Sequence, residues 1–348
     1  MKATSANLLS LLLLLLPCLA TAADSNHPST LRIGTGGSSG TYFPVGSLIA
    51  KGLNARIENS NLPDRAGKGL VLVPQRSNGS VSNVEDMSVG LLESALVQAD
   101  IAHWAFSGEG SYRSDLPLVD LRAVASLYRE SLHLVASRNS EIKSIDDLEG
   151  KRVSVDEVGS GTELDVQLIF DAHGIATDKI SIVYLKPEDA ISRLQLNQLD
   201  AFFILAGYPV KAVSELIDTG IAEVVPITGP VIDDLLSSHA YFTAGEIPAG
   251  TYANEESVAT LAVAALWVAN ASLDEELVYQ LTSEFWSNEV QTLLDNGHPK
   301  GLEINSESAL LGLGIPLHPG AERYYREAGF PITENSPSNP GDKTPAAE

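Results

Sequence analysis

Short runs of β-type residues alternate with helix-type patterns along almost the whole chain, and this alternation limits the fold more than any other feature. Strands are expected at residues 31–33, 70–73, 132–136, 152–155, 180–185, 201–205 and 222–227. Helices are expected at 44–54, 80–88, 144–148, 163–173, 187–197, 210–219 and 274–288. Such alternation makes an α/β protein with largely parallel sheets, because a parallel neighbour needs a crossover and a helix supplies it. Residues 258–269 are apolar and alanine-rich. A buried strand and a buried helix give the same pattern there, and periodicity does not separate them.

One strand-to-helix device occurs twice. Ser39-Gly40-Thr41 follows the first strand and precedes a helix with Pro44 in its first turn. Ser160-Gly161-Thr162 follows the strand at 152–155 and precedes the helix at 163–173. The echo, once in each half, implies two similar lobes. The first N–H groups of a helix have no intrahelical partner, and the aligned peptide dipoles place about half a positive charge there. Glycine lets a ligand approach the backbone, and Ser or Thr hydroxyls add donors. Two such turns facing one cleft form an anion site without any basic side chain. The plain alternative is helix capping: Ser160 and Glu163 have the spacing of a capping box, which makes Glu163 structural. The stretch from Gly34 to Gly40 holds four glycines in seven residues, more than a simple cap requires.

The chain has 348 residues and a formal charge of −23. A negative surface argues against nucleic acid and anionic membranes as partners, since both need a basic face. An anionic ligand must therefore find local positive potential inside a negative molecule. Residues 1–22 read as a signal peptide: Lys2, an apolar run over 8–16, and Ala20-Thr21-Ala22 ahead of Ala23. Cys18 is the single cysteine and falls within that segment, where Leu15-Leu16-Pro17 fits a lipid-attachment site poorly. Cleavage would leave a cysteine-free protein held by core burial, with one positive charge fewer. Residues 24–30 read as a polar lead-in, and residues 331–348, rich in proline and polar groups, as a disordered tail.

Two motifs compete for the glycine loop. Gly36-Gly37-Ser38-Ser39-Gly40 matches the G-x-S-x-G elbow of α/β-hydrolases. That elbow belongs after several strands, and no histidine stands in an obvious acid–base setting. Gly34-x-Gly36 with Gly40 has one residue too many for a dinucleotide fingerprint. His103, His133, His173, His239, His298 and His318 lack metal-ligand spacing. Neither a metal nor a cofactor is expected.

The chain resembles the TAXI family of solute receptors, which serve tripartite ATP-independent periplasmic (TRAP) transporters. The residues that carry the likeness run in order from 31 to 330. They include Ile33-Gly34-Thr35-Gly36-Gly37 leading into Gly40-Thr41-Tyr42-Phe43-Pro44-Val45-Gly46, then Gly79-Ser80-Val81-Ser82-Asn83 and Gln98-Ala99-Asp100. Further on stand Gly159-Ser160-Gly161-Thr162-Glu163, Ala206-Gly207-Tyr208-Pro209 and Pro316-Leu317-His318-Pro319-Gly320. The resemblance implies a two-lobed periplasmic binding protein, type II-like, with the ligand in the interlobe cleft. Lobe 1 would comprise 31–133 plus 256–330, and lobe 2 residues 134–255. It also implies a non-catalytic periplasmic receptor that hands glutamate, glutamine or a C4–C5 dicarboxylate to a TRAP permease, without a hallmark arginine. The expected ligand-binding residues are Gly36, Gly37, Ser38, Ser39, Gly40, Thr41 and Tyr42, with Asn83 and Gln98 from the same lobe. Ser160, Gly161, Thr162, Gly207 and Tyr208 would reach from the other. Asp156-Glu157-Val158 departs from the family's neutral turn, and Arg76 is also unusual. Both leave the ligand open. Rival readings are a ligand sensor for a membrane kinase, which would share the cleft, a scaffold or adhesion protein, and a secreted hydrolase using Ser38.

Overall fold

The computed structural model describes residues 30–59, 69–113 and 116–332. The expected signal peptide and nearly all of the polar lead-in lie outside these residues, as do positions 333–348 of the expected tail. Ile332, at its start, packs against the core.

The chain runs β1 (Thr30–Gly34), α1 (Tyr42–Asn59), β2 (Val71–Gln75), α2 (Ser80–Ser88), β3 (Ser94–Gln98), α3 (Ala99–Ser107), β4 (Leu121–Ser137), β5 (Arg152–Ser154), α4 (Gly161–His173) and β6 (Ser181–Val183). It continues through α5 (Pro187–Gln195), β7 (Ala201–Ala206), α6 (Lys211–Asp218), β8 (Ala222–Val225), α7 (Pro230–Ser238), β9 (Phe242–Ile247), β10 (Val258–Asn270), α8 (Glu275–Phe285), α9 (Asn288–Gly297) and α10 (Pro319–Glu327). The result is a two-lobed α/β architecture. Strands line up as β2-β1-β3-β10-β4-β7-β5-β6, with β8 beside β4 and β9 beside β10.

The ladders β1–β2, β1–β3, β5–β6 and β5–β7 are parallel, as alternation with helices requires. Every ladder that involves β4 or β10 is antiparallel, so the sheet is mixed. These two long strands join the halves. On β4, residues up to Ser131 pair with β10, and Ser131–Ala136 pair with β7. On β10, Val258–Val263 pair with β9, and Ala265–Ala269 pair with β3.

The ambiguous stretch 258–269 is a strand. Its neighbours on both edges and covers on both faces leave it buried almost throughout, which erases period-2 alternation. The expected helix at 274–288 is two helices, because Ser287 breaks the run and caps α9 through the Val290 amide. One large core holds both sheet faces together, with Trp267, Phe170, Phe203, Phe285 and Tyr325 fully buried. A second core lies between β7 and helices α5 and α6, around Phe202, Ile204 and Leu216.

Candidate functional site

Three helix starts converge where the two halves meet. The loop after β1 leads into α1, the Ser77–Gly79 turn leads into α2, and Gly159–Ser160 leads into α4. The first loop is pinned from behind: the Thr35 amide donates to Gln75 O at 2.8 Å, and Asn83 Nδ2 donates to the carbonyls of Thr35 (2.7 Å) and Leu96 (2.8 Å). Gly79, at φ 120°, lets the chain turn into α2 with Ser160 packed against it.

The halves touch around this point. Thr41 Oγ1 donates to Gly207 O (3.2 Å) and accepts from the Gly207 amide (3.0 Å), both buried. Gln98 Nε2 donates to Asp165 Oδ2 at 2.8 Å. Asn78 Nδ2 donates to Val158 O at 3.0 Å, and the Ser82 amide to Gly159 O at 3.0 Å. Gly161 packs so tightly on Gln98 that an added Cβ would lie 1.7 Å from Oε1. The contacts frame a cavity of about 350 Å³, within the range of small-molecule sites.

Gly36, Gly37, Ser38, Ser39, Gly40, Tyr42, Gln98, Ser160, Gly161 and Thr162 line the cavity, as the sequence reading expected. Thr41, Asn83, Gly207 and Tyr208 do not. Asn83 braces the first loop from behind. Thr41 and Gly207 bind each other, and the Tyr208 ring lies under Lys300 Nζ at 3.6 Å. The hydroxyls expected to face a ligand are largely committed within the protein. Ser160 Oγ caps α4 through the Glu163 amide (3.1 Å), the structural role expected of that spacing. Thr162 Oγ1 accepts from the Leu205 amide at 3.2 Å and hydrogen-bonds Asp156. Ser39 Oγ is buried in the loop without a hydrogen-bond partner, and Ser38 is exposed.

Sequence reasoning found only part of the cavity's acidic wall, Asp156 and Glu157, and missed Glu130, Glu188 and Asp189. Glu130, Asp156, Glu157, Glu188 and Asp189 line it, against Arg76 and Lys186. Burial pushes the Glu130 carboxyl up to about 8, although the Tyr42 hydroxyl donates to its Oε2 at 2.7 Å and the Lys300 charge pulls the other way. Burial also lifts Asp156 to about 7, against hydrogen bonds from the Glu157 amide and Thr162. Asp156 sits at φ 74°, which places its side chain inward rather than towards solvent. Arg76 stacks over the Phe43 ring at 4.4 Å, and Lys186 Nζ lies 3.7 Å from Glu157 Oε2. The Asp156-Glu157 and Arg76 departures were visible in the sequence. Glu130 gave no signal, since it falls in the part of β4 that reads as too polar for a strand.

A hydrogen-bonded chain runs along the cavity wall. Gln98 Nε2 meets Asp165, Gln98 Oε1 accepts from Ser80 Oγ (3.1 Å), Ser80 Oγ lies 3.3 Å from Tyr42 Oη, and Tyr42 donates to Glu130. This chain fixes the orientation of Gln98 and Tyr42 before any ligand enters. For the hydrolase reading, Ser38 is an exposed turn residue; no histidine lines this cavity, while His298 shares an adjoining hollow with Ser38, and no hydrogen bond between the two is present. Chemically, the arrangement offers amide dipoles at the helix starts for a negative group and buried carboxyls for a positive or proton-donating one.

A model of the NMT1-like family matches residues 33–329. A structure of a protein from Bordetella bronchiseptica RB50 is similar to this chain at a TM-score of 0.53 and 15% identity, over 89% of this chain and 86% of that one. The periplasmic binding protein BugD matches with a TM-score of 0.50 and 13% identity, over 86% of this chain and 98% of its own. The alkanesulfonate-binding protein SsuA from Xanthomonas axonopodis pv. citri, bound to MOPS, has 17% identity over 86% of this chain and 84% of its own, at a TM-score of 0.48. At such identities the likeness to the first two concerns the fold.

Proposed function

We propose that this chain, which belongs to the NMT1-like family, is an extracytoplasmic receptor whose two lobes close over a small solute carrying both a negative and a positive group. The observation that carries this reading is the cavity itself: three helix starts and two buried, proton-retaining carboxyls meet in one enclosed space between the halves. The negative group lies against the amides of the 36–42 loop and the start of α4, with Arg76 and Lys186 at hand. The positive group faces Glu130 and Asp156. An ammonium group would stabilise the ionised form of these acids, whereas a dianion would hold both to their protonated form, so an amino acid of the glutamate or glutamine type fits better than a C4–C5 dicarboxylate. β4 and β10, which change partners between the halves, act as the hinge, and contacts made to both lobes favour the closed form.

The sequence motifs support the finer assignment, a TAXI-type receptor exported by its first 22 residues that presents the closed form to a TRAP permease. The test is a thermal-shift and calorimetric panel of L-glutamate, L-glutamine, neutral amino acids, succinate and 2-oxoglutarate. A true ligand at about 100 times its Kd adds roughly 2.7 kcal/mol of stability. Zwitterions should shift the transition and dicarboxylates should not. No shift with any compound refutes the receptor reading, and dicarboxylates alone refute the charge assignment.

A further inference from the structure

Behind the cavity wall two carboxyls meet across the cleft. Asp100 stands in the first turn of α3, in the half that carries β3, and is wholly inaccessible. Asp165 stands on α4 in the other half and is 2% exposed. Both Asp100 oxygens and Asp165 Oδ1 are buried without a hydrogen-bond partner, and Asp165 Oδ2 accepts only from Gln98 Nε2. Gln98, two residues before Asp100, bridges the halves through its 2.8 Å bond to Asp165 Oδ2, and this brings the two carboxyls close enough to act on each other directly. Neither belongs to the cavity lining.

Two ionised carboxylates in this position would each lack solvent and would repel one another. One proton removes the repulsion and halves the buried charge, because the pair then forms a single O–H···O hydrogen bond. Asp100 stands in the first turn of α3, where the positive end of the helix dipole favours a negative charge, which leaves the proton on Asp165. The other ionisable groups that act on the pair are Glu130 from β4, which keeps its own proton up to about 8, and Tyr241 beside β9, a neutral phenol; neither supplies a counter-charge. Burial holds both carboxyls above the usual carboxylate range, Asp165 well above it.

We propose that closing the two lobes takes up one proton from solvent, held between Asp165 and Asp100 across the cleft, so that solute is held more tightly as pH falls. The inference rests on the reading of the cleft as an opening and closing site. On opening, both carboxyls hydrate, return towards ordinary values near 4, and release the proton. The closed form therefore binds one proton more than the open form at pH values above that range. The closing constant falls about tenfold per pH unit until the closed pair itself ionises.

The experiment needs no solute. Spin labels at Lys51→Cys on α1 and Arg193→Cys on α5, in the full chain with Cys18→Ser, report the distance between halves from pH 5 to 8. The closed population should fall as pH rises. Asp165→Asn and Asp100→Asn should each flatten that slope by about one proton, while Asp171→Asn, on the exposed face of α4, leaves it in place. Infrared difference spectra of the labelled protein provide a second readout: a protonated carboxyl band that persists in Glu130→Gln and Asp156→Asn should accompany closure at neutral pH. Unchanged slopes in both aspartate variants, or a closed form without a protonated carboxyl, overturn the proposal even if the cleft binds amino acids. A failed solute panel with an intact proton-linked closure would instead count against the receptor reading alone.

Discussion

Replacing Thr41 with valine should hold the lobes open. The side chain keeps its shape and loses only the hydroxyl, which donates to Gly207 O and accepts from the Gly207 amide across the cleft. Both groups are buried in the closed form and would be solvated in an open one. Each bond contributes about 1 kcal/mol net, so Thr41→Val should cost the closed form about 2 kcal/mol, roughly a thirtyfold loss in the closing constant. The stranded Gly207 N–H and C=O can only add to this. Because the bonds join the halves, stability within each half should change little. Inter-label distances would show the open population rise, and calorimetry with an identified solute would show affinity fall by a similar factor. An unchanged closed population would refute the assignment of Thr41 as a latch. A loss of solute contacts with no change in closure would return the hydroxyl to the binding site.

Gly161→Ala places a methyl group 1.7 Å from Gln98 Oε1, so the variant should bind solute at least tenfold more weakly while each half stays folded by circular dichroism. Glu130→Gln should lose most affinity for an amino acid, and it should also flatten the pH profile of stability. The native carboxyl titrates near 8 and the unfolded one near 4.5, so wild type loses stability as pH rises through that window, on the order of 1 kcal/mol per unit, and the variant should not. His133 on β4 is held neutral: burial lowers it to about 4, with Nδ1–H donating to Ser131 O and Nε2 at the Tyr252 hydroxyl. Its contribution is present above about 6.5 and lost as pH falls towards 4, on the order of 2–3 kcal/mol, so acid unfolding should begin in that range and His133→Gln should blunt it. Tyr42→Phe removes the donor to Glu130 Oε2 and should raise that carboxyl further, moving the alkaline loss of stability to higher pH.

Much of the frame was legible. The alternation of strand and helix predicted the α/β class, and the paired Ser-Gly-Thr turns located two of the three helix starts. The third, at Gly79-Ser80, was expected as a helix start from the pattern over 80–88, and only the family likeness tied it to the site. The length of β4 was not legible, because Arg122, Arg129 and Glu130 interrupt its apolar run and only cross-strand neighbours settle such a strand. The site showed the same division. The glycines of the sequence pointed to Gly36, Gly37 and Gly161, which line the cavity. Side-chain roles were not legible: Thr41, Ser160 and Thr162 looked like ligand donors, but the fold supplies each with a protein partner. Glu130, Asp100 and Asp165 come from separate elements, and nothing local in the sequence says that they meet.

The central claim concerns how charge is matched inside the cleft. The most direct measurement is a crystal structure of the protein with the solute that the binding panel selects, or with one that survives gentle purification. The account predicts a compound between the 36–42 loop and the start of α4, its negative group on backbone amides and its ammonium within hydrogen-bonding distance of Glu130 or Asp156. A compound held chiefly by Arg76 and Lys186, or seated away from these helix starts, would contradict it.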